Sequence, residues 1–221
     1  MGLREQKKRQ TRQQIADAAA TLFATHGFEN VTVQDVARAA EVSEQTVYNY
    51  FPSKEHLVFD RAEEMEAALL DDVRSRPPGT SVLAVIRARA TRLLDGMASV
   101  PPHITGEGGM PHLVATSPGL RRWAHDLFAQ NADVLAQALA AEHGHPEDVI
   151  RSRAVAQALL APLHVAILEV GRQTAAGATM AQAVAAVRPS VEAAFDQLEQ
   201  GLGAYATGAR PGVNRTRRRG R

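Results

Sequence analysis

The stretch VSEQTVYNYFPSKE, Val42 to Glu55, decides how this chain is read. Ser43 is a favoured helix N-cap, Val47 and Phe51 recur at helical spacing, and Pro52 cannot continue a helix, so a short helix runs from Ser43 to Tyr50. One turn-and-a-half of it carries Glu44, Gln45, Thr46, Tyr48, Asn49 and Tyr50. A buried helix would not present so many polar tips, and an ordinary solvated face rarely holds two tyrosines. This surface meets something outside the chain.

Working upstream, Ile15, Ala19, Leu22 and Phe23 form one helical stripe. Gly27 stands where a C-terminal cap is expected, with Phe28 placed for its apolar contact. Thr32 caps a second helix with Asp35 three residues on, and Val33, Val36, Ala37 and Ala40 form its apolar face. That helix ends near Glu41. Two short helices joined by a tight turn at Glu41 to Ser43 are a helix-turn-helix, whose second helix enters the major groove of DNA.

Downstream, Ser53 restarts a helix reaching Arg76, and Pro77, Pro78 and Gly79 break it. Val82 to Ser99 follows as a helix. Pro101 to His112 is a Gly- and Pro-rich connection. Ser117 with Pro118 starts a helix whose stripe is Leu120, Trp123, Ala124, Leu127, Phe128, Leu135 and Leu139. Glu147 to Ala176 is apolar on more than one face, and Thr179 with Gln182 boxes the start of the last helix. The fold class is all-α with about nine helices, since no alternating strand pattern occurs. The expected organisation is a basic arm at 1–12, a helix-turn-helix at 13–53, and a helical ligand-binding and dimerisation domain at 54–207, of which 54–76 is the linking helix. A basic tail, 208–221, reads as disordered.

The 221 residues carry 25 Lys and Arg against 24 Asp and Glu, and the near balance hides an asymmetry. Arg4, Lys7, Lys8, Arg9 and Arg12 crowd one end and six arginines from Arg210 to Arg221 the other, while the region from Gln13 to Asp60 is net acidic. Basic ends suit nucleic acid, and terminal charge runs also occur as plain solvated tails. Cys is absent, which excludes disulfides, thiol redox chemistry and thiolate zinc sites. Neither a signal peptide nor a membrane-spanning segment is expected, so the expected location is the cytoplasm.

On the second helix of the motif, Gln45 and Asn49 can bond the N6 and N7 edge of adenine, and Glu44 can accept from cytosine's amino group. Glu44 can equally serve only the helix dipole in the first turn. Thr46, Tyr48 and Tyr50 offer hydroxyls to phosphate, which fix register without reading sequence. Tyr50 can alternatively pack against the following helix. Lys54 adds a cation, as do Lys7, Lys8, Arg9 and Arg12 of the arm.

The run from Ile15, IADAAATLFATHGFENVTVQDVARAAEVSEQTVYNYFPSKEHL, resembles the DNA-binding region of TetR-type transcriptional regulators. The cap glycine, the Thr of the second helix, the VS turn, the Tyr-x-Tyr-Phe run and the Ser-Lys-Glu fall in order over the first quarter of the chain. The resemblance implies a homodimer with an N-terminal helix-turn-helix and a helical effector domain whose last two helices make the dimer. It also implies that an effector shifts the spacing of the reading heads. By position, Thr32, Tyr48, Tyr50 and Lys54 match phosphate contacts, and Gln34, Glu44, Gln45 and Asn49 match base contacts. Glu41 departs from the family's usual turn Gly and must tolerate that backbone or change it.

Met97, His103, Met110, His112, Trp123, Phe128 and His164 are candidates to line an effector site. Core packing is the competing role for Trp123, Phe128 and His164. Ala154, Ala158, Ala161, Val165 and Leu168, with Val184, Val187, Val191, Phe195 and Leu198, are candidates for a twofold interface. His143 and His145 lack the spacing and companions of a metal site, and no nucleophile elbow or phosphate loop occurs, so neither metal, cofactor nor catalytic centre is nominated. The reading is a ligand-released repressor binding a pseudo-palindromic operator. The alternatives are an activator or effector-independent regulator, and a small-molecule binding protein or enzyme on a helical scaffold that no longer reads DNA.

Overall fold

The computed structural model describes residues 2–99, 109–143 and 149–202. Among them the chain is all-helical: α1 Leu3–His26, α2 Val33–Ala39, α3 Glu44–Tyr50, a 3-10 turn Glu55–Leu57, α4 Ala62–Arg74, α5 Val82–Ala98, α6 Met110–Thr116, α7 Pro118–His143, α8 Val149–Ala175 and α9 Met180–Leu202. The segments holding His103, His145 and the 208–221 tail lie outside the described residues.

Local chemistry sets most of these boundaries. Thr32 and Asp35 form a reciprocal capping box, with Asp35 N–H donating to the Thr32 hydroxyl at 3.1 Å and Thr32 N–H donating to the Asp35 carboxylate at 3.0 Å. The Thr32 hydroxyl, which also donates to the Asp35 carboxylate at 2.6 Å, and then the Thr32 N–H favour the charged form and hold the Asp35 pKa below its ordinary value. Ser43, Ser81 and Ser117 accept from the backbone N–H three residues on, and Thr179 with Gln182 repeats the box at α9. α2 ends in a Schellman motif, Val42 N–H to the Ala37 carbonyl and Glu41 N–H to that of Arg38. This puts Glu41 at φ 54°, the left-handed position that favours glycine.

Two expected boundaries move. The basic arm is the first half of α1, because residues 4–12 are almost all Arg, Lys, Gln and Glu, good helix formers with no Gly or Pro among them. The helix expected from Ser53 to Arg76 is instead a 3-10 turn followed by α4 from Ala62. Ser53 bonds Glu55 and His56 within the turn, and the carbonyl of Asp60 accepts from Arg12 rather than continuing a helix.

The buried residues form two cores. One joins Ile15, Phe23, Phe28, Val36, Val47 and Phe51 of the first three helices to Leu113 and Val114 of α6 and Leu120 of α7. The other lies among α4, α5, α7, α8 and α9. α8 is long and apolar enough, by length and composition, to cross a membrane. Here it packs against α6, α7 and α9. At Gly171 a Cβ would fall 2.1 Å from the Pro111 carbonyl oxygen, so α6 crosses α8 where only glycine leaves room.

Two substitutions test these backbone readings by urea unfolding. Gly171→Ala should cost about 1–3 kcal/mol, since the obstructing atom is backbone. Glu41→Gly should raise stability by roughly 0.5–1 kcal/mol, because relieving about 1–2 kcal/mol of left-handed strain exceeds the added chain entropy of glycine. A loss of stability in Glu41→Gly would contradict the strain.

Candidate DNA-reading surface and effector cavity

α3 is held by one side and open on the other. Val47 and Phe51 are buried, whereas Glu44, Gln45 and Asn49 are exposed and Tyr48 is 44% exposed. Gln45 Nε2 donates to Asn49 Oδ1 at 3.2 Å, which pre-orients two carboxamides on one face and leaves the Asn49 amide free to turn outward. Thr46 and Ser43 share a hydroxyl bond at 2.7 Å at the N-terminus of α3. Gln34 is exposed on α2, and Thr32 is exposed with its hydroxyl engaged by Asp35. Tyr50 is half-buried and packs on the first core.

The basic residues divide into two kinds. Lys7, Lys8 and Arg9 lie on the exposed outer half of α1. Arg12 does not belong with them. Its guanidinium donates to the Tyr50 carbonyl at 3.2 Å and to the Asp60 carbonyl, and stands 4.5 Å above the Phe51 ring. These contacts already engage the guanidinium within the chain. Lys54 Nζ stands 4.1 Å over the Phe28 ring. Burial draws its pKa down, opposed by the Glu29 and Glu55 charges. Beside Arg12, burial pushes the Asp60 carboxyl up, and the Arg12 charge opposes it.

A cavity of about 150 Å³ lies among α4, α5, α7 and α8. Its walls are apolar, including Phe59, Met65, Leu69, Ile86, Leu127 and Leu160, with Arg89, Asn131 and His164 as the polar members. The Asn131 Oδ1 is buried with no hydrogen-bond partner. Arg89 is engaged, donating to Asp72 at 2.9 Å and to the Met65 carbonyl at 2.7 Å, and Arg92 donates to the same Asp72 oxygen at 2.8 Å. His164 lies against Phe128, with ring centroids 4.1 Å apart, and its Nε2 is 3.1 Å from Nδ1 of the exposed His125. Burial, then the neighbouring His125, lowers the His164 pKa.

Of the expected cavity residues, the structure brings Met110, Phe128 and His164 together here. Met97 packs on the second core away from the cavity, and His112 is half-buried on α6 with an unpartnered Nδ1. Trp123 faces a separate cleft of about 440 Å³ between the first helices and α7, where it stacks on Phe59 at 4.4 Å and meets His56 edge-on at 5.4 Å. Phe59 and Leu127 line both spaces and form the wall between them. Asn131 was legible as a lone carboxamide on the α7 stripe, spaced three from Phe128 and four from Leu135.

On the outer side, α8 and α9 leave an apolar groove of about 720 Å³ lined by Ala158, Ala161, Val165, Ala186, Ser190, Ala194 and Leu198 among others. Val165 is 60% exposed there. Ala154 is also exposed on α8. Val187 and Val191 form the groove floor. Val184 and Phe195 are fully buried in the subunit's own core and cannot reach a partner, and Leu168 lines the inner cavity instead. The α9 stripe with the largest side chains faces inward, because bulk is what fills a core. The small residues one step round the helix form the outer face.

Residues 15–60 match the family model for bacterial regulatory proteins of the tetR family. This stretch is similar to the regulatory region of that family. The HTH-type transcriptional regulator TcmR of Streptomyces glaucescens is 34% identical over 128 residues, covering 54% of this chain and 54% of that protein. The chain thus spans about half the length of this curated relative. Among solved structures, NalD of Pseudomonas aeruginosa, described as the secondary repressor of the MexAB-OprM multidrug efflux pump, aligns with a TM-score of 0.57 at 17% identity. That alignment covers 87% of this chain and 97% of NalD. FadR of Bacillus subtilis in complex with stearoyl-CoA aligns with a TM-score of 0.52 at 16% identity over 83% of this chain and 97% of FadR. At these identities the structural likeness establishes the TetR-like fold, a helix-turn-helix followed by a helical domain.

Arg12 links α3 to the segment before α4, and His164 is the cavity residue whose pKa is displaced. Because His164 has a folded pKa below its unfolded value near 6.5, the unfolded chain binds more protons as pH drops through that value. Stability should therefore fall from pH 7 toward pH 5. In thermal melts, His164→Gln should flatten that fall, and an unchanged pH profile would contradict the assignment.

Proposed function

We propose that the chain is a ligand-responsive transcriptional regulator, acting as a repressor that binds a pseudo-palindromic operator as a homodimer. In this reading residues 13–53 are the reading head and 54–207 the effector and dimerisation unit, working in the cytoplasm. The observation that carries the proposal is α3, a helix buried along Val47 and Phe51 and open along Glu44, Gln45, Tyr48 and Asn49, within a TetR-family region. Gln45 and Asn49 read adenine edges, with Glu44 and Gln34 beside them. Tyr48, Thr46, Thr32, Lys54, Lys7, Lys8 and Arg9 hold phosphates. Two heads set one helical turn apart, or a multiple of it, require a twofold partner, and the small-residue groove of α8 and α9 is the surface suited to it.

The cavity between α4, α5, α7 and α8 takes a small, apolar effector. To move the population from 1:99 to 99:1, that effector must bind the released form about 5.5 kcal/mol more tightly than the DNA-bound form. A binding protein or enzyme without DNA reading is disfavoured because the exposed face of α3 would then have no use. Several curated relatives are named as transcriptional repressors, which supports the sense of regulation.

The test is equilibrium binding of the purified protein to DNA from immediately upstream of its coding region, over a salt series and against scrambled DNA. The expected preference is about 10³-fold or more, with a salt slope of about −0.9 per neutralised phosphate. Asn49→Ala should cost about 1–3 kcal/mol on the preferred sequence and relax the choice at one base position. Lys7→Ala with Lys8→Ala should weaken all sequences alike and make the slope shallower. Equal losses on specific and scrambled DNA in Asn49→Ala would contradict base reading.

A further inference from the structure

The cavity's polar inventory points to a narrower class of effector, and this deepening rests on the proposed regulator. Its volume of about 150 Å³ is small for a ligand pocket and is the size that holds a single benzene-like ring. Its walls offer Phe59, the Phe128 and His164 rings, and the Met65 and Met110 side chains, which suit the face and edge of an aromatic ring. Arg89 is already engaged by Asp72, which also pairs with Arg92, and by the Met65 carbonyl, so an anionic ligand would have to compete with a carboxylate in place. What remains open is an acceptor. Asn131 lines the cavity, and its Oδ1 is buried with no partner, a state that costs free energy until a donor meets it.

We propose that the cavity binds a neutral monocyclic aromatic molecule bearing one hydroxyl or amine donor, and that the donor is read by Asn131 Oδ1. The apolar body supplies burial and the single hydrogen bond supplies discrimination, because a ring without a donor leaves Oδ1 unpaired. His164 closes the ring-binding wall against Phe128 and is itself tied to His125, which leaves Asn131 as the group that selects.

The experiment uses the full chain and three probes of similar size: phenol, its isostere toluene, and benzoate, each titrated by calorimetry with thermal shift as a second readout. Phenol is expected to bind at least about tenfold more tightly than toluene, and benzoate more weakly than phenol. Asn131→Leu, close in volume and free of an unsatisfied acceptor, should keep the thermal stability of the parent, retain toluene binding and lose the preference for phenol. Asn131→Ala provides a second variant with the same expected loss of preference. No preference for phenol over toluene, a preference that survives in both variants, or tighter binding of benzoate would each overturn the inference. Operator binding is measured on the same preparations. Its survival alongside failed probe binding sinks this inference alone, and its loss alongside intact probe binding sinks the regulator reading instead.

Discussion

The guanidinium of Arg12 is where three parts of the chain meet. From α1 it reaches the last carbonyl of α3 at Tyr50, the carbonyl of Asp60 just before α4, and the face of Phe51. It ties the end of α3 to the start of α4 alongside the 3-10 turn between them. A cation with several donors in a fixed fork suits this task, since it satisfies two carbonyls at once while lying flat on an aromatic ring. One side chain thereby links α1, α3 and the entry to α4.

α7 makes the second connection. Ser117, its cap, is buried and donates to Glu29 in the loop between α1 and α2. One turn on, Trp123 stacks on Phe59, and further along Phe128 and Asn131 line the cavity. Leu113, Val114 and Leu120 complete the core under the helix-turn-helix. Phe59 thus places the cavity wall one residue from the Asp60 carbonyl that Arg12 clasps. Close-packed interiors transmit shifts because they deform between discrete arrangements rather than continuously.

Much of this was legible along the chain, and the part that was not has a common cause. The caps at Thr32, Ser43, Ser117 and Thr179 depend on partners three residues away, so spacing alone reveals them. The strained Glu41 was visible as a missing glycine in a turn. The intramolecular partners of Arg12, Tyr50 and Asp60, lie 38 and 48 residues away, beyond what a local basic run reveals. Trp123 was read toward the effector site for the same reason, its neighbour Phe59 being distant in sequence. Helical periodicity marked a buried stripe on α9 but not which neighbour covers it. That is why Val184 and Phe195 fell to the core and Ala186, Ser190 and Ala194 to the outer groove.

Sequence reading by a pair of identical heads, as proposed, is tested most directly by selection of bound sites from a random-sequence DNA pool by the full chain. It predicts enrichment of two inverted half-sites whose centres lie one helical turn, about 10 base pairs, or a multiple of it apart. A pool that shows no enrichment, or a single asymmetric site, would contradict it.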